Sequence, residues 1–272
     1  MVYFVTGAYG WLGSRFVDEL TDRGKAVSVF SGDLTQEEEV RQSIPDDDFI
    51  IVNYAGNKDN DIERSIRNNI IVTAQLVRAA QRDNCKCFIH ISSIASVGPT
   101  NKLINSETEC HPDGNYGRSK EICELMIKEF VSDYVIVRPT NIVEGSRIGI
   151  LQKVYQAIRE NQVFDVWKES LNSLRDYISV QDVTDAVVNL ALALERGKNF
   201  TSGIVNLCSG YSYSMSDIIT MVERQTGCRI RTNVLSNPDF HPYNLLVDAG
   251  DTRKLLGREP ETLEHIVSKI NV

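Results

Sequence analysis

Tyr116 and Lys120, in the run Tyr116-Gly117-Arg118-Ser119-Lys120, are two side chains that could move a proton together. On a helix a separation of four puts both on one face, a single turn apart. A phenol with a pKa of about 10 is a poor acid or base at neutral pH. An ammonium beside it favours the phenolate and lowers that value. Ser93 follows the apolar run 87–92, 23 positions before Tyr116, at a strand end where a βαβ sheet places ligand-facing residues. Near the N-terminus, Thr6-Gly7-Ala8-Tyr9-Gly10-Trp11-Leu12-Gly13 sets three glycines between an apolar run and a helical pattern. Each glycine has a mechanical reason there: a tight turn, close approach of backbone to a pyrophosphate, and close packing of helix on strand. Phosphate then meets the unpaired N–H groups at the helix start. The chemistry these residues point to is acid/base work by a tuned phenol and the binding of a dinucleotide.

The elements that must position them follow from the apolar pattern. Residues 2–6 are apolar without alternation, as in a strand buried on both faces. Leu12, Phe16, Val17 and Leu20 recur at helical spacing over 11–23. Strands are predicted over 26–30 and, after the acidic run Glu37-Glu38-Glu39, over 49–54. A long helix over 62–82, a strand over 87–92, a helix over 116–131 and a strand over 134–137 complete the alternation. That rhythm predicts an α/β fold, a doubly wound parallel Rossmann sheet with a small C-terminal substrate-binding lobe. Beyond residue 148 the elements shorten, with helices over 150–160 and 182–195, a strand over 204–207, and a helix over 214–226. Asp182 reads as the cap of the second of these helices. The last has a serine start, the stripe Ile218, Met221 and Val222, and Gly227 at its end. The expected domains are a dinucleotide-binding part, 1–148 with returning segments 175–208, and a lobe made of 149–174 and 209–272.

The spacing Gly-x-x-Gly-x-x-Gly with a preceding threonine resembles the short-chain dehydrogenase/reductase superfamily. Asn53-Tyr54-Ala55-Gly56, Asn69 with Thr73, Ser92-Ser93, Tyr116 to Lys120, Arg138-Pro139 and Arg175-Asp176-Tyr177 sharpen the match to its extended branch. That branch holds the NAD(P)-dependent sugar-nucleotide epimerase/dehydratase-like proteins, and the resemblance covers essentially the whole chain. It implies Tyr116 as general acid/base, Lys120 as the residue that tunes it and holds the nicotinamide ribose, and Ser93 as hydrogen-bond donor to the reacting oxygen. Ser96-Val97 depart from the Val-Tyr usual at their positions. The implied cofactor contacts begin with Gly7, Tyr9, Gly10, Trp11, Leu12 and Gly13, and continue through Ser31, Asp33 and Leu34. They end with Tyr54, Ala55, Gly56, Asn69, Ile91, Ser92 and Pro139, together with Tyr116 and Lys120. Asn141 and Arg175 are implied on a substrate diphosphate, with Ser93 at the reacting end.

An arginine fork suits a phosphate, although Arg175 and Asp176 could instead form an ion pair. Trp167 reads either as a stacking partner for a nucleobase or as a core or rim side chain. The cofactor is NAD or NADP. Family members separate the second strand from their Gly-Asp-Leu segment by a further strand, whereas here Ser31-Gly32-Asp33-Leu34 follows 27–30 directly. The sheet is therefore expected to lack one edge strand. Asp33 then either holds the ribose or meets the adenine, and in the second case a neutral Ser31 tolerates a 2′-phosphate. The Thr-Asp-Glu run of sugar 4,6-dehydratases is missing, since Ile94-Ala95 follow Ser93. What the resemblance leaves is hydride transfer at a hydroxyl or keto carbon, C4, of a nucleotide-diphosphate sugar, as epimerase or ketoreductase. Two other readings stay open: an oxidoreductase of this fold acting on an uncharged ketone or alcohol of steroid or flavonoid type, and a non-catalytic NAD(P)-binding regulatory protein.

Composition narrows the remaining classes. At 272 residues the chain is expected to form one large domain, or one with a small companion. With 42% hydrophobic and 24% charged residues and only 7 prolines, it reads as folded and globular. Twenty-nine basic against 37 acidic residues give a net charge of −8, which disfavours a nucleic-acid partner. No apolar stretch approaches the roughly 18 to 20 residues that span a bilayer, and Met1 to Val5 lack a basic leader. A cytoplasmic protein with reduced thiols is expected, its six cysteines forming no framework. Cys85 and Cys87 have no second pair to answer them, and His111, His241 and His265 are isolated, so no metal is expected. His90, inside a strand, reads as a packed, hydrogen-bonded histidine. By resemblance a homodimer is expected, with 62–82 and 116–131 as its candidate helices.

Overall fold

The computed structural model describes residues 1–145, 149–197, 203–236 and 243–270, so His241 lies outside the described residues. Within it the chain forms two compact units. The first consists of Met1–Gly98, Ser106–Arg138 and Thr184–Val205, and the second of Pro99–Asn105, Pro139–Val183 and Asn206–Val272.

The first unit grows around β1 (Val2–Thr6), whose two faces are both apolar. Phe4 points to one side, where its ring meets Phe30 and Phe49 edge-on at 6.3 and 6.5 Å. Tyr3 points to the other and meets Phe16 at 6.5 Å. Phe16 belongs to α1 (Trp11–Asp22), which leads to β2 (Ala26–Val29), α2 (Glu37–Ser43) and β3 (Phe49–Asn53). The predicted helix over 62–82 is observed as α3 (Ile62–Ser65), a π-helical segment Ile66–Ile71, and α4 (Val72–Ala80). A π turn takes in one extra residue, and the buried side chain inside this one is Asn69. Next come β4 (Cys85–Ile91), α5 (Asn115–Phe130) and β5 (Tyr134–Pro139). The core on the Phe4 side joins Ile51, Leu76, Phe88, Ile127 and Ile136, all fully buried. Each such side chain contributes about 1.5–3 kcal/mol on leaving water.

The second unit carries β6 (Asn141–Val143), α6 (Ile150–Arg159), β7 (Phe164–Trp167) and β8 (Arg175–Ser179). Then α7 (Val180–Glu195) runs back into the first unit and β9 (Gly203–Leu207) follows. β10 (Ser212–Tyr213), α8 (Met215–Thr226), β11 (Thr232–Leu235), α9 (Gly250–Leu256) and α10 (Leu263–Ser268) complete it. Leu151, Ile218, Val222 and Leu263 centre its core. α8 begins as its sequence predicts: Ser214 Oγ accepts the Asp217 N–H, the Asp217 carboxylate accepts the Ser214 N–H, and Gly227 ends the helix at φ 69°. Asp182 does not cap α7. Ser179, three residues earlier, accepts the Asp182 N–H at 3.0 Å, and the Asp182 carboxylate instead takes the Glu261 N–H and Arg258, both at 2.7 Å.

The main sheet has six strands in the order β2-β1-β3-β4-β5-β9, with parallel pairing from β2 to β5. A doubly wound dinucleotide fold usually carries a further strand outside β2. Among the described residues none stands there, as the fused Ser31-Gly32-Asp33-Leu34 segment predicts, and α2 leads straight from β2 to β3. All six cysteines are free. Among the described residues no helix is long and apolar enough to cross a membrane, and no group of His, Cys, Asp or Glu could hold a metal ion.

Candidate active site

At the end of β1 the chain turns through Gly7 at φ 67°, which favours glycine. A Cβ there would collide with the Tyr54–Ala55 backbone, and one on Gly13 with the Gly7 carbonyl. The Gly10 N–H donates to that carbonyl at 3.0 Å and closes the turn. Gly10 is also the N-cap of α1 and, as a glycine, brings no side-chain cap to it. The start of a 12-residue helix is where the chemistry of a dinucleotide pyrophosphate places its negative charge. Tyr9 stands 79% exposed beside them, with Trp11 and Leu12 half-buried at the first turn. These residues fit a dinucleotide.

The ends of β3 and β4 frame the other predicted contacts. Asn53 is fully buried, and its Oδ1 accepts Thr6 Oγ1–H at 2.8 Å and the Ala55 N–H at 2.9 Å. Its Nδ2 therefore donates to His90 Nδ1 at 3.0 Å, which places the ring proton on Nε2. His90 is packed and hydrogen-bonded as expected on that one side; its Nε2 has no partner among the described residues. Tyr54 packs its ring on Phe16 at 5.4 Å, and burial holds its phenol well above the usual value. Asn69 reaches from the π segment, accepting the Asn57 N–H at 2.9 Å and donating to Ser119 Oγ at 2.8 Å.

Lys120 is 95% buried, and its Nζ donates to the Ile91 carbonyl at 3.0 Å. A Cβ on Gly56 would lie 3.3 Å from that Nζ, so the ammonium sits between the ends of β3 and β4. Tyr116 lies one turn earlier on α5 and is half-buried; its backbone N–H is held by Asn60 Oδ1 at 3.2 Å. Its hydroxyl has no hydrogen-bond partner among the described residues. Ser93 caps the short 3-10 turn Ile94–Ser96 and accepts the Ala95 N–H at 3.2 Å. α5 approaches this turn at Gly117, where a Cβ would collide with the Ala95 carbonyl.

Beneath these residues lies a buried pair that sequence reasoning missed. Glu124, one turn beyond Lys120, is paired with the fully buried Arg138 of β5. The same carboxylate accepts Ser92 Oγ–H at 2.6 Å and Ser96 Oγ–H at 2.8 Å. Ser96 Oγ lies 2.9 Å from the Ser93 carbonyl as well. The hydroxyl of Ser92 is thus committed to Glu124, and Ser93 is left as the serine at the surface of the strand end.

In the second unit, Asn141 Nδ2 donates to the Asp176 carbonyl at 3.0 Å. Arg175 and Asp176 do not pair with one another. Arg175 lies over the Tyr243 ring at 4.2 Å and donates to the Leu174 and Tyr243 carbonyls. Asp176 is fully buried and takes Thr140 Oγ1–H, the Ser209 N–H and Oγ–H, and the Gly210 N–H within 2.9 Å. Trp167, 48% exposed at the end of β7, is not a core residue.

The sequence profile of the NAD dependent epimerase/dehydratase family matches residues 3–208. The chain belongs to that family. It is an enzyme of the extended short-chain dehydrogenase/reductase type. This family member is similar to a UDP-glucose 4-epimerase of Halalkalibacterium halodurans, 25% identical over 96% of this chain and 91% of that one. It is also similar to a probable UDP-arabinose 4-epimerase of Arabidopsis thaliana, 27% identical over 69% of this chain and 51% of that one. Among solved structures, MoeE5 in complex with UDP-glucuronic acid and NAD superposes with a TM-score of 0.85 at 18% identity, over 99% of this chain and 97% of that one. A UDP-glucuronic acid 4-epimerase from Bacillus cereus, in complex with UDP-glucuronic acid and NAD, gives 0.78 at 21% identity, over 97% and 96%.

Proposed function

We propose that this chain is a nucleotide-sugar 4-epimerase, working at C4 of a nucleotide-diphosphate sugar with a nicotinamide dinucleotide on the glycine turn. One observation carries the proposal: a buried Lys120 anchored on the Ile91 carbonyl, one turn from a half-buried Tyr116 on a helix packed against the Ser93 turn. The alignment with a UDP-glucose 4-epimerase over 96% of the chain favours epimerase over ketoreductase.

Gly7, Gly10, Gly13 and the start of α1 would hold the pyrophosphate, and Lys120 the nicotinamide ribose. A bound nicotinamide would supply the hydride chemistry, removal from one face of the sugar carbon and return to the other. The Tyr116 oxygen takes the proton of the sugar hydroxyl as the hydride departs, and gives it back when the hydride returns. Lys120, one turn along the same helix and fixed on the Ile91 carbonyl, keeps its ammonium at this face of α5. Ser93 donates a hydrogen bond to the same sugar oxygen while it is a ketone. Asn141 and Arg175 serve the diphosphate.

Incubation with UDP-glucose, UDP-arabinose and UDP-glucuronic acid, with and without added NADH or NADPH, tests this. Epimer formed without net consumption of reduced cofactor is the expected result. Stoichiometric consumption identifies a ketoreductase instead. Turnover of an uncharged alcohol with none of the sugar nucleotides overturns the substrate class.

A further inference from the structure

Ser93 stands between two hydroxyls that one side chain of α5 holds. Ser92, the residue before it, and Ser96, three residues after it, both donate to Glu124 Oε1, at 2.6 and 2.8 Å. The same oxygen accepts Arg138 Nε–H at 3.0 Å, and Glu124 Oε2 accepts from Arg138 Nη2. All four residues are buried. Ser96 Oγ also lies 2.9 Å from the Ser93 carbonyl, so the carboxylate reaches the Ser93 backbone through a single hydroxyl. Ser96 occupies a position where valine is usual in the family, which makes this second tie the chain's own. Glu124 shares α5 with Tyr116 and follows it by about two helical turns.

A buried ion pair is a poor way to gain stability, since packed apolar side chains of the same size often do as well or better. What apolar side chains cannot do is accept two hydroxyl protons, one on each side of Ser93. Arg138 keeps the carboxylate charged in the interior, and a charged carboxylate accepts on both oxygens. We infer that Glu124 is a positioning residue for the proposed reaction: through Ser92 and Ser96 it fixes Ser93 at a set distance from Tyr116. The inference rests on reading Ser93 and Tyr116 as the groups that meet the reacting oxygen. Two groups that must meet one oxygen tolerate little movement, and a misplacement of about 1 Å costs up to ~100-fold in rate. Because Tyr116 and Glu124 ride on one helix, a Ser93 turn tied to Glu124 is also tied to Tyr116.

Two double variants separate the grip on the serines from the charge. Glu124→Gln with Arg138→Met removes both charges and keeps a side-chain oxygen for the two hydroxyls. Glu124→Met with Arg138→Met removes that oxygen as well, at similar volume. Ser96→Ala leaves the ion pair whole and decides the matter if a double variant does not fold. Kinetics with the sugar nucleotides, the calorimetric Kd for the dinucleotide and the melting temperature are measured for each. From the Gln variant to the Met variant kcat should fall by about 10- to 100-fold, and in Ser96→Ala by about tenfold. KM and the dinucleotide Kd should stay within error of the wild type. Equal kcat in the two double variants, or wild-type kcat in Ser96→Ala, overturns the inference while the proposed function stands. So does a fall in kcat that KM and the dinucleotide Kd share, which is what a support of the whole unit would give. A wild type that turns over no sugar nucleotide overturns both.

Discussion

At the scale of single residues, the proposed proton carrier is one phenol oxygen with no protein partner among the described residues, one helical turn from a lysine whose buried ammonium is fixed in place. Tyr116→Phe removes that oxygen and little else. Its kcat should fall by about 10²–10⁴-fold, the usual contribution of a positioned acid or base, while the Kd for the dinucleotide stays within error of the wild type. Undiminished turnover would remove Tyr116 from the mechanism. His90 offers a second test at this scale. Burial, and then the Lys120 charge, holds its pKa well below 6.5. The folded ring therefore stays neutral where an unfolded histidine protonates. Its contribution to stability is fully present above pH ~6.5 and is lost as pH falls, by up to ~1.4 kcal/mol per pH unit. Urea unfolding at pH 7 and pH 5.5 should show a larger loss for the wild type than for His90→Gln. Equal losses would mean that the folded ring titrates as a free one does. The glycine turn and the four-residue interval of Tyr116 and Lys120 were legible in spacing, because a tight turn and a helical turn are local, whereas the roles given to Tyr116, Lys120 and Ser93 come from the family resemblance. The Asn53–His90 bond was not, since it joins neighbouring strands whose register no local pattern encodes.

At the scale of elements, α5 does two jobs with one face. Tyr116, Lys120 and Glu124 follow at intervals of four, and Gly117 lets that face close on the turn after Ser93. Gly117→Ala would force the helix from the Ala95 carbonyl, and tight insertions of this kind cost about 1–3 kcal/mol. The expected outcome is a modest drop in melting temperature with a larger fall in kcat than any change in KM, because Ser93 and Tyr116 separate while Asn141 and Arg175, the residues proposed for a diphosphate, are left unchanged. A fall in stability with kcat unchanged would show that their spacing is not set at Gly117. The sequence carried part of this arrangement. Glu124 shares the interval of Tyr116 and Lys120, but Arg138 arrives from β5, and a buried ion pair leaves no periodic trace. Asp182 was misread for a related reason: its residue type suits a cap, and Ser179 was nearer the true helix start. The π segment escaped because one inserted residue barely disturbs the apolar rhythm of 62–82.

At the scale of the whole molecule, α5 also shows an opposite face. Cys123 and Ile127 are fully buried, while Ile122 and Leu125 are 41% and 56% exposed on the same helix. Ile62 and Ile66, on the segments packed beside α5, are exposed as well, at 58% and 44%. Isolated exposed apolar residues need no explanation, but several on adjoining helices mark an interaction surface. We propose that two copies pair through these helices, as the family resemblance implies. A stable interface of this kind needs on the order of 1,000 Å² of buried surface or more, and a charge at its centre without a partner opposes association. Sedimentation at micromolar concentration should therefore give the wild type at twice the monomer mass and Leu125→Glu at the monomer mass. The helix that carries Leu125 outward carries Tyr116 and Lys120 inward, so loss of the partner should also loosen the active face. The Leu125→Glu monomer should keep its dinucleotide affinity and lose part of its kcat. A wild type that sediments as a monomer, with full activity, would leave the exposed face of α5 unrelated to the reaction.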